Sequence, residues 1–136
     1  MINIAYSSSE YYFKPSLVSI YSLLKNTDSD IHIYFLSSGV SESNKKILED
    51  LVQNFKAQLS IIEVESELIK FASKLNLPLM RGNYSTYARI LLADILVDVP
   101  EILLIDSDTL IVGDIGNISD HFDANKVLHA ARDYVI

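Results

Sequence analysis

Short apolar runs alternate along the chain with longer stretches in which apolar residues recur every three or four positions, and this alternation constrains the fold most. The short runs are typical of buried strands, whereas the longer spacing is typical of helices that bury one face. Strands are predicted at residues 2–6, 31–36, 59–64 and 102–105, with shorter candidates at 109–112 and 127–131. Strands that alternate with helices indicate an α/β fold, in which a mostly parallel sheet is flanked by helices on both faces.

Four apolar stripes predict the helices between these strands. Pro15 suits the first turn of the first helix, since its missing N–H is not needed there. Ser41 and Ser66 are candidate N-caps of the second and third helices. The run 102–105 is expected to be buried on both faces, and a turn with a short helix is expected at 113–122. The stripes expected to face the core are Leu17, Val18, Tyr21 and Leu24; Ile47, Leu48, Leu51, Val52 and Phe55; Leu68, Ile69, Ala72 and Leu75; and Tyr87, Ile90, Leu91 and Leu92.

The composition excludes several classes of function. A length of 136 residues suits one domain, and we expect residues 1–136 to belong to a single one. The chain has no Cys, which excludes a disulfide framework, a thiolate zinc site and a cysteine nucleophile. Its net charge of -7 argues against a protein that grips nucleic-acid phosphates.

No signal peptide and no membrane-spanning helix is evident in the sequence. The start has no basic stretch followed by an apolar one, and no apolar run approaches the roughly 20 residues that a membrane-spanning helix needs. We therefore expect a cytoplasmic protein without a transmembrane segment, at most peripheral at the inner face of the membrane. Residues 134–136 are apolar and follow a predicted strand, so either a homo-oligomer covers that edge or the chain is the front part of a longer domain. We favour the longer domain.

Two aspartates directly follow the strand predicted at 102–105. Ligands of open α/β sheets bind beyond the carboxyl ends of the strands, where Asp106 and Asp108 would lie. Two carboxylates one residue apart suit Mg²⁺ or Mn²⁺, which share oxygen ligands with substrate phosphates. The tripeptide alone is a weak signal, because residues 28–30 repeat it in a polar turn.

The surrounding charge distinguishes the two copies of this tripeptide. Residues 90–125 hold eight acidic residues and no Lys or Arg, so a cation bound there would relieve the repulsion between carboxylates. We expect a functional role for Asp106 and Asp108 and a structural role for the other six acidic residues.

Two further segments are candidates because of their position. Arg89 lies one helical turn before the acidic stretch, where its guanidinium either grips phosphate oxygens or pairs with Asp94 or Glu101, and the spacing leaves both open. The loop 6–12 is rich in hydroxyls and aromatic rings; either it binds a nucleotide by stacking, or it is a surface turn packed on the helix. His32 is expected in the core or on the sheet surface rather than as a metal ligand.

Two segments of the chain resemble the sequences of a known protein family. The segment 87–92, Tyr-Ala-Arg-Ile-Leu-Leu, and the segment 102–115, which contains Asp106-Ser107-Asp108, closely resemble glycosyltransferase family 8. That family includes bacterial lipopolysaccharide galactosyl- and glucosyltransferases and glycogenin. The opening strand and the segments 18–26 and 40–42 also look like it, so the resemblance covers essentially all 136 residues.

The resemblance implies a GT-A-type fold and a retaining hexosyltransferase that uses a UDP-sugar donor with Mn²⁺ or Mg²⁺. Asp106 and Asp108 would match the metal-binding pair, and Asp108 would also lie near the donor ribose or phosphates. The acceptor would be a glycan, glycolipid or glycoprotein, in the synthesis of cell-surface polysaccharide, lipopolysaccharide or glycoprotein glycans. Together with the loop after the first strand, the expected donor-binding set is Tyr6, Ser7, Ser9, Tyr11, Arg89, Asp106, Ser107, Asp108 and Asp133.

The sequence departs from the family pattern in two ways. After the first strand the family usually has an acidic-acidic-Asn-Tyr run that grips uracil and ribose; here Ser9 replaces a carboxylate and Tyr11 replaces the Asn. The family's later His metal ligand lies beyond Ile136, so these 136 residues alone are expected to be inactive. Two rival interpretations stay open: a non-catalytic module that keeps the fold for binding or assembly, and a phosphatase-like aspartate nucleophile, which Leu110 disfavours because Thr or Val is usual there.

Overall fold

The structure is a computed structural model that describes residues 1–123 and 125–130. Strands and helices alternate through most of the chain, as the apolar pattern predicts. The elements in chain order are β1 (Ile2–Ser9), a 3₁₀ turn (Glu10–Tyr12), α1 (Phe13–Asn26), β2 (Ile31–Ser38), α2 (Glu42–Asn54), β3 (Gln58–Glu63), α3 (Glu65–Leu75), a 3₁₀ turn (Ser85–Tyr87), α4 (Ala88–Ile95), β4 (Leu103–Leu104) and a 3₁₀ turn (Ile118–His121).

The four strands form one parallel sheet in the order β3-β2-β1-β4. β1 and β2 pair along their whole length, from Ile2 opposite Ile31 to Ser9 opposite Ser38. Because all four strands run in the same direction, their carboxyl ends meet at one edge of the sheet. The loops that follow β1 and β4 therefore lie side by side, although about a hundred residues separate them in the sequence.

The core packs on both faces of this sheet. Phe35 and Leu36 are neighbours in β2 and point to opposite faces, as successive strand residues do. Phe35 belongs to a buried cluster with side chains of α1 and α2, including Leu48. Leu36 belongs to a second cluster with side chains of α3 and α4, including Leu68. The expected α/β architecture with helices on both faces is thus confirmed.

The first helix buries only half of its predicted stripe: Leu24 and Leu17 pack in the core, and the other two residues do not. Val18 is 58% exposed and Tyr21 is 44% exposed, whereas Ile20 and Leu23 are completely buried. The apolar pattern was misleading because polar residues share the buried face, where their hydroxyls form hydrogen bonds. These residues are Ser16, Ser19 and Ser22.

Other details of the predicted helices also need correction. α3 begins at Glu65 with Val64 in the N-cap position, so Ser66 does not cap it. Ser41 does occupy the N-cap position of α2, but its hydroxyl bonds to the side chains of Glu10 and Ser43 and makes no capping bond to the helix backbone. The remaining stripe residues that are exposed rather than core-facing are Ile47, Phe55, Ile69, Leu75 and Ile90.

The strand predictions fail near the end of the chain. In the run 102–105 only Leu103 and Leu104 form a strand, and both are half-buried rather than buried on both faces, because the described residues place no strand beyond β4. Residues 109–112 form no strand, since the backbone of Ile111 bonds to side chains of α1 instead. Residues 127–130 form no strand either, and residue 131 lies outside the described residues.

His32 lies on the sheet, in agreement with its expected structural role. Its Nε2 is 2.8 Å from the Oγ of Ser60 on the neighbouring strand, and its ring stacks on Tyr34. Burial lowers the pKa of His32 below its usual value. Among the described residues, no helix is long and apolar enough to cross a membrane.

Candidate functional site

A pocket of about 320 Å³ opens at the carboxyl edge of the sheet. Three segments form it: the end of β1 with the turn after it, the stretch from residue 80 to α4, and the loop after β4. Its lining residues are Ser7, Tyr12, Met80, Arg81, Asn83, Ser85, Thr86, Arg89, Leu104, Ile105, Asp106, Ser107 and Asp108. The sheet topology thus brings Ser7, Arg89 and residues 106–108 of the expected set into one pocket.

Asp106 and Asp108 project from the loop that follows β4, and both are exposed. The hydroxyl of Ser107 between them donates to the backbone carbonyl of Ser7, at 2.6 Å. The hydroxyl of Thr109 donates to the carbonyl of Asp106, at 2.9 Å. The first bond holds the loop against β1 and the second closes the loop on itself, so both carboxylates stay at the pocket.

Arg89 pairs with one of these aspartates. Its Nη2 lies 3.0 Å from Oδ1 of Asp106, and its Nε donates to the carbonyl of Thr86 at 3.1 Å. The sequence also allowed Arg89 to form a salt bridge with Asp94 or Glu101. In the structure, Arg89 pairs with neither of them. The guanidinium therefore lies inside the pocket rather than along its own helix.

Ser7 links β1 to the opposite wall of the pocket. Its hydroxyl donates to the carbonyl of Ser85 at 2.8 Å, while its own carbonyl accepts from Ser107. Ser7 thereby connects the two segments that carry Arg89 and Asp106. A contact between residues so distant in sequence has no local signature.

Tyr6 does not reach the pocket with its side chain. The residue is completely buried, its hydroxyl lies 3.1 Å from the Oγ of Ser19, and burial raises its pKa to about 12. Alternation along β1 explains this position, because Ser7 points to the face opposite Tyr6. The structure thus places the Tyr6 ring in the core, and a donor contact of Tyr6 stays a prediction.

The turn after β1 presents a different tyrosine from the expected one. Tyr11 is 80% exposed and does not line the pocket, whereas Tyr12 does. Ser9 is buried, and its Oγ has no hydrogen-bond partner among the described residues. Tyr12 belongs to the candidate loop 6–12, but the expected donor-binding set contained Tyr11 instead. The turn is held by the carboxylate of Glu10, which bonds to Ser41 at the N-cap of α2 and to Asn44.

A two-residue hairpin turn forms another part of the pocket wall. Met80 and Asn83 exchange backbone hydrogen bonds of 3.0 and 3.2 Å, and the two residues between them have positive φ, +51° at Arg81 and +81° at Gly82. Such φ values fit a type I′ turn, which favours Asn and Gly. Arg81 is therefore in a conformation that costs an ordinary L-residue about 1–2 kcal/mol.

Asn83 joins this hairpin to the turn before α4. Its Oδ1 accepts from the backbone N–H of Ser85 at 2.8 Å and from the Ser85 hydroxyl. None of the pocket residues from 80 to 86 belongs to the donor-binding set expected from the sequence. The signal in the sequence is Gly82, because glycine is favoured where a tight turn requires a positive φ.

The carboxylates that line the pocket are suitable ligands for a hard divalent cation. Mg²⁺-type sites use one or two carboxylates and complete their shell with water and substrate phosphates, and Asp106 and Asp108 supply two carboxylates. Among residues 1–123 and 125–130, no group of three or more His, Asp or Glu side chains could hold a metal ion.

Asp133, which the resemblance places beside the donor sugar, lies outside the described residues.

The sequence matches a known family over almost its whole length. The model of the family described as Glycosyl transferase family 8 matches residues 3–136. The chain belongs to glycosyl transferase family 8. The resemblance carried by the segments 87–92 and 102–115 is therefore confirmed, and the chain is related to glycosyltransferases.

Two curated relatives of this family 8 chain share less than a third of its residues. A "Putative glycosyltransferase" of Haemophilus influenzae is 29% identical over 136 residues, which is 99% of this chain and 40% of that protein. The "General stress protein A" of Bacillus subtilis is 27% identical over 116 residues, which is 82% of this chain and 39% of that protein. The chain thus spans about two fifths of the length of these relatives.

Solved structures share the fold of this family 8 chain. The galactosyltransferase LgtC, in complex with donor and acceptor sugar analogs, superposes with a TM-score of 0.75 at 22% identity, covering 89% of this chain and 43% of LgtC. The bifunctional glycosyltransferase WbbM gives a TM-score of 0.73 at 22% identity, covering 88% of this chain and 20% of WbbM. The expected GT-A-type fold is confirmed.

Proposed function

We propose that this chain is the donor-binding part of a retaining hexosyltransferase that uses a UDP-sugar and a divalent cation, Mn²⁺ or Mg²⁺. The observation that carries the proposal is that Asp106, Asp108 and Arg89 share one pocket at the carboxyl edge of a family 8 sheet. Two carboxylates suit the cation, and the guanidinium suits the phosphates of the donor.

The pocket residues have separate tasks in this proposal. Asp106 and Asp108 hold the cation, which when bound offsets the negative charge of the departing diphosphate. Arg89 binds phosphate oxygens and helps to orient the donor. Ser107 keeps both carboxylates in place through its bond to β1, so the loop does not have to reorganise when the donor binds.

The proposed acceptor is a glycan, glycolipid or glycoprotein. LgtC, which has the same fold, was crystallised with donor and acceptor sugar analogs. Since the chain spans about two fifths of its curated relatives, we propose that the remaining residues of the site lie outside it. The 136 residues alone are then expected to bind UDP weakly and to transfer no sugar.

The test compares the two copies of Asp-Ser-Asp in the full-length protein. The variants are Asp106→Asn with Asp108→Asn at the pocket, and Asp28→Asn with Asp30→Asn as a matched control in an exposed turn. Calorimetry measures UDP affinity with Mn²⁺ and with EDTA. We expect the pocket variant, like EDTA, to weaken UDP binding more than about tenfold, and the control variant to bind like the wild type.

Two outcomes would contradict the proposal. If UDP affinity in the wild type does not depend on Mn²⁺ and survives the pocket variant, the carboxylates do not hold a catalytic cation. If UDP binds with Mn²⁺ but UDP-galactose and UDP-glucose release no UDP with any glycan acceptor, the protein is a binding module that kept the fold.

A further inference from the structure

Four oxygen atoms form a continuous line from the core to the loop that carries the aspartates. The phenol oxygen of Tyr6 lies 3.1 Å from Oγ of Ser19, and that Oγ lies 3.0 Å from Oγ1 of Thr109. Oγ1 of Thr109 lies in turn 2.9 Å from the backbone carbonyl oxygen of Asp106. Tyr6 and Ser19 are completely buried and do not line the pocket, so they reach the aspartate loop from the core side.

The hydrogen bonds along this line can run in only one direction. A carbonyl oxygen only accepts, so the hydroxyl of Thr109 donates to Asp106. Each hydroxyl carries one hydrogen, so Ser19 must donate to Thr109, and Tyr6 must donate to Ser19. Burial raises the pKa of Tyr6 to about 12, and the phenol therefore keeps the proton that it donates. Tyr6, Ser19 and Thr109 thus form a hydroxyl chain with a fixed direction.

The hydroxyl chain ends on the turn that carries both aspartates. The carbonyl of Asp106 also accepts from the backbone N–H of Thr109, at 3.3 Å, so residues 106–109 form one turn. Asp106 and Asp108 are the first and third residues of this turn, and its backbone sets the positions from which their side chains start. Ser107 fixes the turn to β1, and the hydroxyl chain fixes it to α1.

We propose that Tyr6 and Ser19 are positioning residues, which hold the aspartate turn against α1 in the geometry that binds the cation. The inference rests on the proposed function and adds to it two residues that act through Thr109. Hydroxyl groups that all donate in one direction polarise one another, which strengthens each bond. Ser19 is the essential link, because only a side chain that both accepts and donates can stand between Tyr6 and Thr109.

α1 also holds the backbone just beyond the turn. Oγ of Ser22 accepts from the backbone N–H of Ile111 at 2.9 Å, and Nδ2 of Asn26 donates to the carbonyl of Ile111 at 2.8 Å. These bonds do not pass through Ser19, so its loss should leave the segment attached at Ile111 and loosen only the turn. The effect of a Ser19 variant is therefore expected at the aspartates as well as in stability.

The experiment separates positioning from stability in the full-length protein. Calorimetry measures UDP affinity with Mn²⁺ and with EDTA, and the ratio of the two affinities is the metal-dependent gain. Thermal melting measures stability. The variants are Ser19→Ala, Ser19→Ala combined with Tyr6→Phe, and the pair Thr109→Val and Thr109→Ser. Ser60→Ala is the matched control, because the hydroxyl of Ser60 lies 2.8 Å from His32, outside the pocket.

We expect Ser19→Ala to lower the melting temperature, because it leaves the buried phenol of Tyr6 without an acceptor. It should also reduce the metal-dependent gain about three- to tenfold, the equivalent of one hydrogen bond. The additional change Tyr6→Phe removes the unpaired phenol, so the double variant should regain much of the melting temperature while its metal-dependent gain stays reduced.

The substitutions at Thr109 test the same chain from its other end. Thr109→Val should reduce the metal-dependent gain about as much as Ser19→Ala does, whereas Thr109→Ser keeps the hydroxyl and should have the gain of the wild type. The control Ser60→Ala should lower the melting temperature and leave the gain unchanged.

Two results would overturn the inference. If the metal-dependent gain recovers together with the melting temperature in the double variant, Ser19 only supports the fold. If Ser19→Ala and Thr109→Val both keep the gain of the wild type, the turn holds the aspartates without α1. A wild-type protein that binds UDP equally well with Mn²⁺ and with EDTA would instead refute the proposed function, so the two failures are distinguishable.

Discussion

Arg89 and Asp106 form an ion pair across the pocket, with Nη2 3.0 Å from Oδ1. Both side chains are more than half exposed, so the pair contributes little to stability. Its importance is that Arg89 occupies an oxygen that a cation would use. Nucleotide binding would release Arg89 from Asp106 and transfer it to a phosphate.

This relationship predicts opposite effects of Arg89→Ala on two ligands. Without Arg89, Asp106 is unpaired and nearby positive charge is removed, so Mn²⁺ alone should bind a few-fold more tightly. UDP with Mn²⁺ should bind roughly tenfold more weakly, because a charged hydrogen bond to phosphate is lost. Calorimetric titration measures the affinities for both ligands. For each ligand, the affinity of Arg89→Lys, which keeps the charge, should lie between those of the wild type and Arg89→Ala. Parallel weakening of both ligands would show that Arg89 only supports the fold.

The hydroxyl of Ser107 should matter more than an ordinary surface hydroxyl. Ser107→Ala removes the 2.6 Å bond to Ser7 that holds the aspartate loop on β1. We expect the free energy of unfolding to fall by about 1 kcal/mol and UDP affinity to fall a few-fold. The control is Ser119→Ala, whose hydroxyl bonds to Glu101 at 2.6 Å outside the pocket. If both variants bind UDP like the wild type, the loop is held by other contacts.

Glu10 should make stability depend on pH. Hydrogen bonds from the backbone N–H of Ser41, and from the side chains of Asn44 and Ser41, lower the pKa of Glu10 below its usual value of 4.5. Since the folded-state pKa is the lower one, Glu10 contributes its stabilisation above about pH 4.5 and loses it as the pH falls through the folded-state pKa.

The measurement is thermal melting from pH 7 to pH 3. We expect Glu10→Gln to melt below the wild type at pH 7 and the difference to shrink in acid. Glu49→Gln, on the exposed side of α2, is the control and should track the wild type. A difference that stays constant over the whole range would mean that the charge of Glu10 is unimportant.

Two substitutions on α1 test which of its faces is buried. Leu23 is completely buried and Val18 is 58% exposed. Leu23→Ala should cost about 2–5 kcal/mol of unfolding free energy, whereas Val18→Ala should change it by less than about 0.5 kcal/mol. Denaturant titration measures both. A larger loss of unfolding free energy for Val18→Ala than for Leu23→Ala would mean that α1 buries the face predicted from the apolar stripe alone.

Two short segments of the sequence are sufficient to indicate the family. Residues 87–92 and 102–115 carry the resemblance, and the family model covers residues 3–136. Residues 106–108 could be distinguished from the identical tripeptide at 28–30 by the preceding strand and the surrounding charge. Their metal-binding role stays a prediction, as do the donor contacts.

The sequence could not locate the pocket wall, because that wall depends on contacts between distant segments. The side chain of Tyr6 points into the core and that of Tyr12 lines the pocket, although both belong to the same predicted loop. Alternation along β1 buries Tyr6, whereas the turn that carries Tyr12 is held by bonds between Glu10 and residues 31 and 34 positions away. The acidic partner of Arg89 is likewise Asp106, 17 residues along the chain, rather than the nearer Asp94 or Glu101.

By itself the sequence determined the alternation of strands and helices, the parallel sheet and the position of the aspartate pair beyond a strand. These are consequences of side-chain periodicity, which is local. The tertiary structure decided which face of α1 is buried, which tyrosine lines the pocket and where Arg81 points. Those depend on hydrogen bonds and packing between segments that the sheet brings together, such as the bond from Ser107 to Ser7 across 100 residues of chain.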